Sequence, residues 1–84
     1  MLTKADRKAQ YKAVEHSRIL RVENLRKLKA IHGSWASLGR ALGVHDTFLI
    51  HIAGENPRRN FGEKCARGFE VTLGFNNGWF DEKH

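Results

Sequence analysis

The sequence predicts an all-α fold, a compact bundle of about five short helices with a peripheral helix on its N-terminal side. Three observations predict it. Apolar residues recur every three or four positions through most of the chain, the spacing of one helical face. Glycines stand just past the last apolar position of successive runs, at Gly33, Gly43, Gly54 and Gly74, where helices commonly end. No segment alternates apolar and polar residues with the period of two that marks a half-buried strand, and no internal repeat or low-complexity stretch is present.

Taken in order, residues 3–16 carry Ala5, Ala9 and Ala13 on one face and only Tyr11 and Val14 as larger apolar groups. That composition predicts a peripheral helix. Ser17 is a candidate break and N-cap, the alternative being one continuous helix to His32. Ile19, Val22, Leu25, Leu28 and Ile31 recur every three residues as one apolar stripe, closed by Gly33. Ser34 is an N-cap for a short helix over residues 35–42, with Leu38, Ala41 and Leu42 inward. A second short helix spans residues 46–53 with Leu49 and Ile52 buried; Gly54 ends it and Pro57 bars continuation. After the loop 56–59, Asn60 and Glu63 have the N-x-x-E spacing of a capping box. The helix they open runs to about Leu73, with Phe61, Cys65, Ala66, Phe69 and Leu73 inward and Arg67 and Glu70 spaced as an ion pair. Residues 76–78 are a turn, and Trp79 and Phe80 a closing hydrophobic anchor. The chain therefore divides into a basic helical extension (1–17), a folded domain (18–81) and a short tail (82–84).

Eighty-four residues suffice for one small domain. The net charge of +6 is uneven. Residues 1–29 hold nine basic and three acidic side chains, whereas the remainder holds six of each. Such a basic segment favours a polyanion through release of condensed counterions. No apolar run reaches the length of a membrane span, and no apolar segment follows Lys4 as a secretory signal requires. The single Cys65 excludes an intramolecular disulfide and a four-cysteine zinc site, so a cytoplasmic protein is expected. The five histidines match no metal-ligand spacing, and Cys65 has no local histidine to activate it. The expectation is a protein without enzyme activity, metal, cofactor or small-molecule substrate.

Two short helices joined by a tight glycine-containing turn have the layout of a helix-turn-helix. Gly39 lies four residues before Gly43, where the helices must cross closely, and Gly43 takes the turn. Leu38, Leu42, Val44, Leu49 and Ile52 then fall at spacings that lock the second helix onto the first.

Residues 33–44, GSWASLGRALGV, resemble the opening of the lambda-repressor-like (Cro/Xre) helix-turn-helix domain. Residues 52–67, IAGENPRRNFGEKCAR, and 73–81, LGFNNGWFD, look like the loop, fourth helix and closing segment of prophage repressors. The resemblance covers about residues 21–81. Relatives often carry Gln, Ala and Ser where this chain has Trp35, Gly39 and His45. The resemblance implies that the second short helix enters the DNA major groove, with His45, Asp46, Thr47, Ile50 and His51 toward the bases. Asp46 also suits an N-cap. Phosphates would be met by Ser34, Trp35 and Ser37 at a helix N-terminus and by Arg58 and Arg59 in the following loop. The implied partner is a two-fold-related double-stranded DNA operator, bound by a homodimer acting as a phage or prophage repressor. Many relatives append a sensing and dimerisation domain, so this is either a stand-alone regulator or the DNA-binding part of a longer chain. The weakly basic second helix leaves a rival expectation, a protein-interaction module that keeps the fold without reading DNA.

Overall fold

The computed structural model describes the backbone of residues 4–84 and the side chains of residues 17–84. Among the described residues the fold is all-α: α1 (Lys4–His32), α2 (Trp35–Leu42), α3 (Asp46–Ala53), α4 (Glu63–Leu73) and a closing 3-10 turn (Trp79–Asp81), with no strand. The expected break at Ser17 is absent, which reduces the helix count to four plus that turn. No glycine or proline interrupts residues 4–32. A serine inside a helix costs only about half a kcal/mol relative to alanine, whereas stopping and restarting requires a new and unfavourable nucleus. The alanine face at Ala5, Ala9 and Ala13 lies outside the residues whose side chains are described.

The apolar stripe of α1 also differs from expectation. Leu25 and Leu28 are buried, but Ile19 and Ile31 are 51% and 78% exposed, and Leu20 and Asn24 complete the inner face. A three-residue step falls about 60° short of a turn, so five positions at that spacing wind roughly two-thirds of the way around the helix. The middle of the stripe meets the core and its ends rotate away.

α1 packs across α2, α3 and the 3-10 turn, while α2 also contacts α4. The core joins Leu25 and Leu28 to Leu38, Leu42, Leu49, Ile52, Phe61, Ala66, Phe69 and Phe80. Val44, Cys65 and Leu73 are half-buried at its edge, and Ala41, expected inward, is exposed. Phe61, Phe69 and Phe80 form an aromatic centre with ring separations of 5.2–6.3 Å. Phe61 enters it from the loop rather than from α4. The expected capping box is not formed: Gly62 is the N-cap of α4 with no side-chain cap, and Asn60 instead accepts from Arg18 Nη2 at 2.6 Å. A guanidinium on the facing helix outcompetes a local amide for the asparagine oxygen.

The chain end is fastened to α1 by polar side chains. Buried Asn24 donates from Nδ2 to the carbonyls of Phe80 (2.9 Å) and Glu82 (2.7 Å), and Lys27 Nζ reaches the His84 oxygen. Asp81 pairs with Arg21 and with Arg67 Nη2 at 3.0 Å. Burial alone pushes the Asp81 carboxyl up, but the hydrogen bonds and charges of Arg21 and Arg67 outweigh it and hold it below the usual carboxylate range. A depressed native pKa contributes stability that is present above the unfolded value of about 3.9 and is lost as pH falls through the native one. Acid unfolding followed by circular dichroism should therefore show stability falling below about pH 4. Asp81→Asn should remove much of that dependence; identical acid profiles for the two proteins would show that the pair contributes nothing. No helix of the described residues is long and apolar enough to cross a membrane.

Candidate nucleic-acid interface

α2 and α3 approach each other at Gly39. A Cβ there would stand 2.7 Å from the Val44 carbonyl oxygen, closer than carbon and oxygen tolerate. The approach is sealed by Val44 N donating to Gly39 O at 2.9 Å, and Gly43 turns the chain at φ +72°, the left-handed region glycine enters without strain. Leu38 and Leu42 of α2 and Leu49, Ile52 and Ala53 of α3 are buried. Phe48 packs half-buried against the same core, edge-on to Phe69 at 6.5 Å, and the remaining side chains of α3 lie outward or to the side. His45 and Thr47 are exposed, Ile50 is 42% exposed, and Asp46 and His51 are half-buried.

The start of α3 differs in one respect from expectation, since His45 rather than Asp46 is its N-cap. His45 Nδ1 accepts from Thr47 N at 3.1 Å and lies 2.9 Å from Asp46 Oδ1. The nitrogen caps Thr47 as an acceptor, or donates to Asp46 when protonated; it serves one of these roles at a time. Asp46 is then the first helical residue, where its charge suits the helix dipole.

Ser34 caps α2 as expected, with Oγ accepting from Ser37 N at 3.0 Å. Its hydroxyl also meets Ser37 Oγ (3.1 Å), which accepts from Arg40 Nη2 (3.1 Å). Two hydroxyls and a guanidinium thus gather at this helix start. Trp35 is half-buried against the core, with Lys29 Nζ 5.6 Å from its ring centroid. Arg40 was missed in the sequence, although its i,i+3 spacing from Ser37 was a usable signal.

Arg58 and Arg59 are brought to α3 by their backbones, both N–H groups donating to His51 O at 2.8 and 3.0 Å. Their exposed side chains line a groove against α1. That segment is held from the other side by Arg26, which donates from Nε to Ala53 O and from Nη2 to Gly54 O, each at 2.8 Å. The structure therefore joins Arg58 and Arg59 to the His51 end of α3, and Ser34, Trp35 and Ser37 to one another at the start of α2.

Part of the basic character of α1 has a structural use. Arg18, Arg21, Arg26 and Lys27 each bond to a distant part of the chain, and Lys29 covers Trp35. The side chains of Lys4, Arg7, Lys8 and Lys12 lie outside the described residues. Burial pushes the Cys65 thiol up, which disfavours its thiolate. Among the described residues no three His, Cys, Asp or Glu side chains are grouped to hold a metal ion. Comparison of the chain with protein-family models, with curated proteins and with solved structures finds no match.

Proposed function

We propose that this protein is a sequence-specific double-stranded DNA-binding transcriptional regulator of the lambda-repressor-like kind, with α2 and α3 as its helix-turn-helix. The observation that carries the reading is the crossing at Gly39 and Gly43, which buries one side of α3 and leaves His45, Thr47 and Ile50 outward on a short rigid helix. In the major groove, Thr47 and Ile50 meet thymine methyl groups and His51 hydrogen-bonds a base edge, with His45 and Asp46 at the tip. Ser34, Ser37 and Trp35 at the start of α2, with Arg40 beside them, and Arg58 and Arg59 after α3 take phosphates. A homodimer binds a two-fold-related operator and represses by occluding polymerase.

Selection of bound sequences from random duplex DNA at about 150 mM salt, where non-specific attraction is weakened, tests this. The expected result is a consensus with half-sites roughly one helical turn apart. Thr47→Ala or His51→Ala should change the preferred base at one position, each good base contact being worth about 1–3 kcal/mol. One observation favours a second reading: α3 contains no lysine or arginine and carries Asp46 in its first turn. If no consensus emerges and these variants bind duplexes as before, a protein-interaction module becomes the better account.

A further inference from the structure

Between α1 and the segment 57–61 runs a groove of about 430 Å³. Its apolar lining comes from Ile19, Val22, Ile52, Pro57 and Phe61. Four guanidinium groups, those of Arg18, Arg26, Arg58 and Arg59, border it against one carboxylate, Glu23. The walls are tied together at three levels of α1. Arg18 bonds Asn60 (2.6 Å), Arg21 Nη1 bonds Phe61 O (3.3 Å), and Arg26 bonds Ala53 O and Gly54 O (2.8 Å each). The groove is thus preformed. Arg18 and Arg26 are spent on holding it, whereas Arg58 and Arg59 make no side-chain hydrogen bond or ion pair among the described residues. Opposite them Ile19 is 51% exposed.

We propose that this groove binds a small organic anion with an apolar body, an aromatic or branched-chain carboxylate. The carboxylate lies between Arg58 and Arg59, and the body lies over Ile19, Val22 and Pro57. The excess of cations at the border selects an anion. The volume falls within the roughly 300–1,000 Å³ of small-molecule sites. A peptide strand would find no open sheet edge here, and the N–H groups of Arg58 and Arg59 are already given to His51 O. If Arg58 and Arg59 also clamp DNA phosphates, ligand and DNA compete for them; this consequence rests on the proposed function.

The test titrates the isotope-labelled 84-residue chain, without DNA, with naphthoate and with the corresponding uncharged naphthyl alcohol, following backbone amide shifts. Saturable shifts should centre on residues 18–26 and 57–61, with naphthoate binding about tenfold tighter than the alcohol. Arg58→Ala with Arg59→Ala alters only exposed side chains, so the remaining spectrum should be retained while naphthoate binding weakens about tenfold. Ile19→Ser should weaken both ligands. Shifts centred elsewhere, equal affinity for the two ligands, or a double variant that binds naphthoate unchanged would overturn the site. In a second arm naphthoate should raise the protein concentration needed to bind duplex DNA. Unchanged duplex affinity at saturating naphthoate overturns the competition. A chain that binds no duplex at all overturns the regulator reading, and the first arm still decides the groove.

Discussion

Glu70→Ala should destabilise the folded protein by about 3–5 kcal/mol, the usual cost of removing one partner from a buried charged network. Glu70 is 1% exposed, and its two oxygens accept from Gly78 N at 3.0 Å and Phe80 N at 2.9 Å. It therefore fixes the turn that seats Phe80 in the aromatic centre. Arg67 Nε stands 2.9 Å from Glu70 Oε1, yet that N–H has no directed hydrogen-bond partner, so the contact is an attraction of charges. Alanine would leave two N–H groups without acceptors and Arg67 with Asp81 alone. Glu70→Gln keeps the shape and one acceptor and should lose less. Urea unfolding of the three proteins, compared at a common slope, measures both. A loss below about 1 kcal/mol for the alanine variant would mean that water or a shifted turn satisfies those donors.

Leu49→Ala should cost about 2–5 kcal/mol, the range for emptying a buried leucine site. Leu49 is fully buried between α2 and the rest of the core, and it determines which side of α3 faces out. The same unfolding experiment checks it. If the loss stays under about 1 kcal/mol, Leu49 is not the inner residue of α3 and the outward positions of Thr47 and Ile50 fall with it.

The bounds of α2 and α3 and the crossing at Gly39 were legible in the sequence, because caps, glycine turns and apolar spacing act within a few residues. Local signals misled where a distant partner competed. Asn60 has the spacing of a cap but is held by Arg18, and Ser17 resembles a cap but lies inside a helix that had no reason to stop. Of the candidate interface, the outward residues of α3 could be read from the burial of Leu49 and Ile52, and the serines from their place at the cap and in the first turn of α2. The cap by His45 could not, because Asp46 is the commoner capping residue and only the ring's orientation decides between them.

By itself the sequence determined an all-α chain, its short central helices, the turn between them and the apolar residues that bury α3. Those follow from the intrinsic preferences of neighbouring residues. Only the tertiary structure decided the uses of Arg18, Arg21, Asn24 and Arg26, whose partners lie between 27 and 60 residues away. A charged or amide side chain reads alike in sequence whether it faces water or a distant carbonyl. The choice depends on which backbone groups folding leaves without a partner in the facing wall, and that is settled only when the helices have packed.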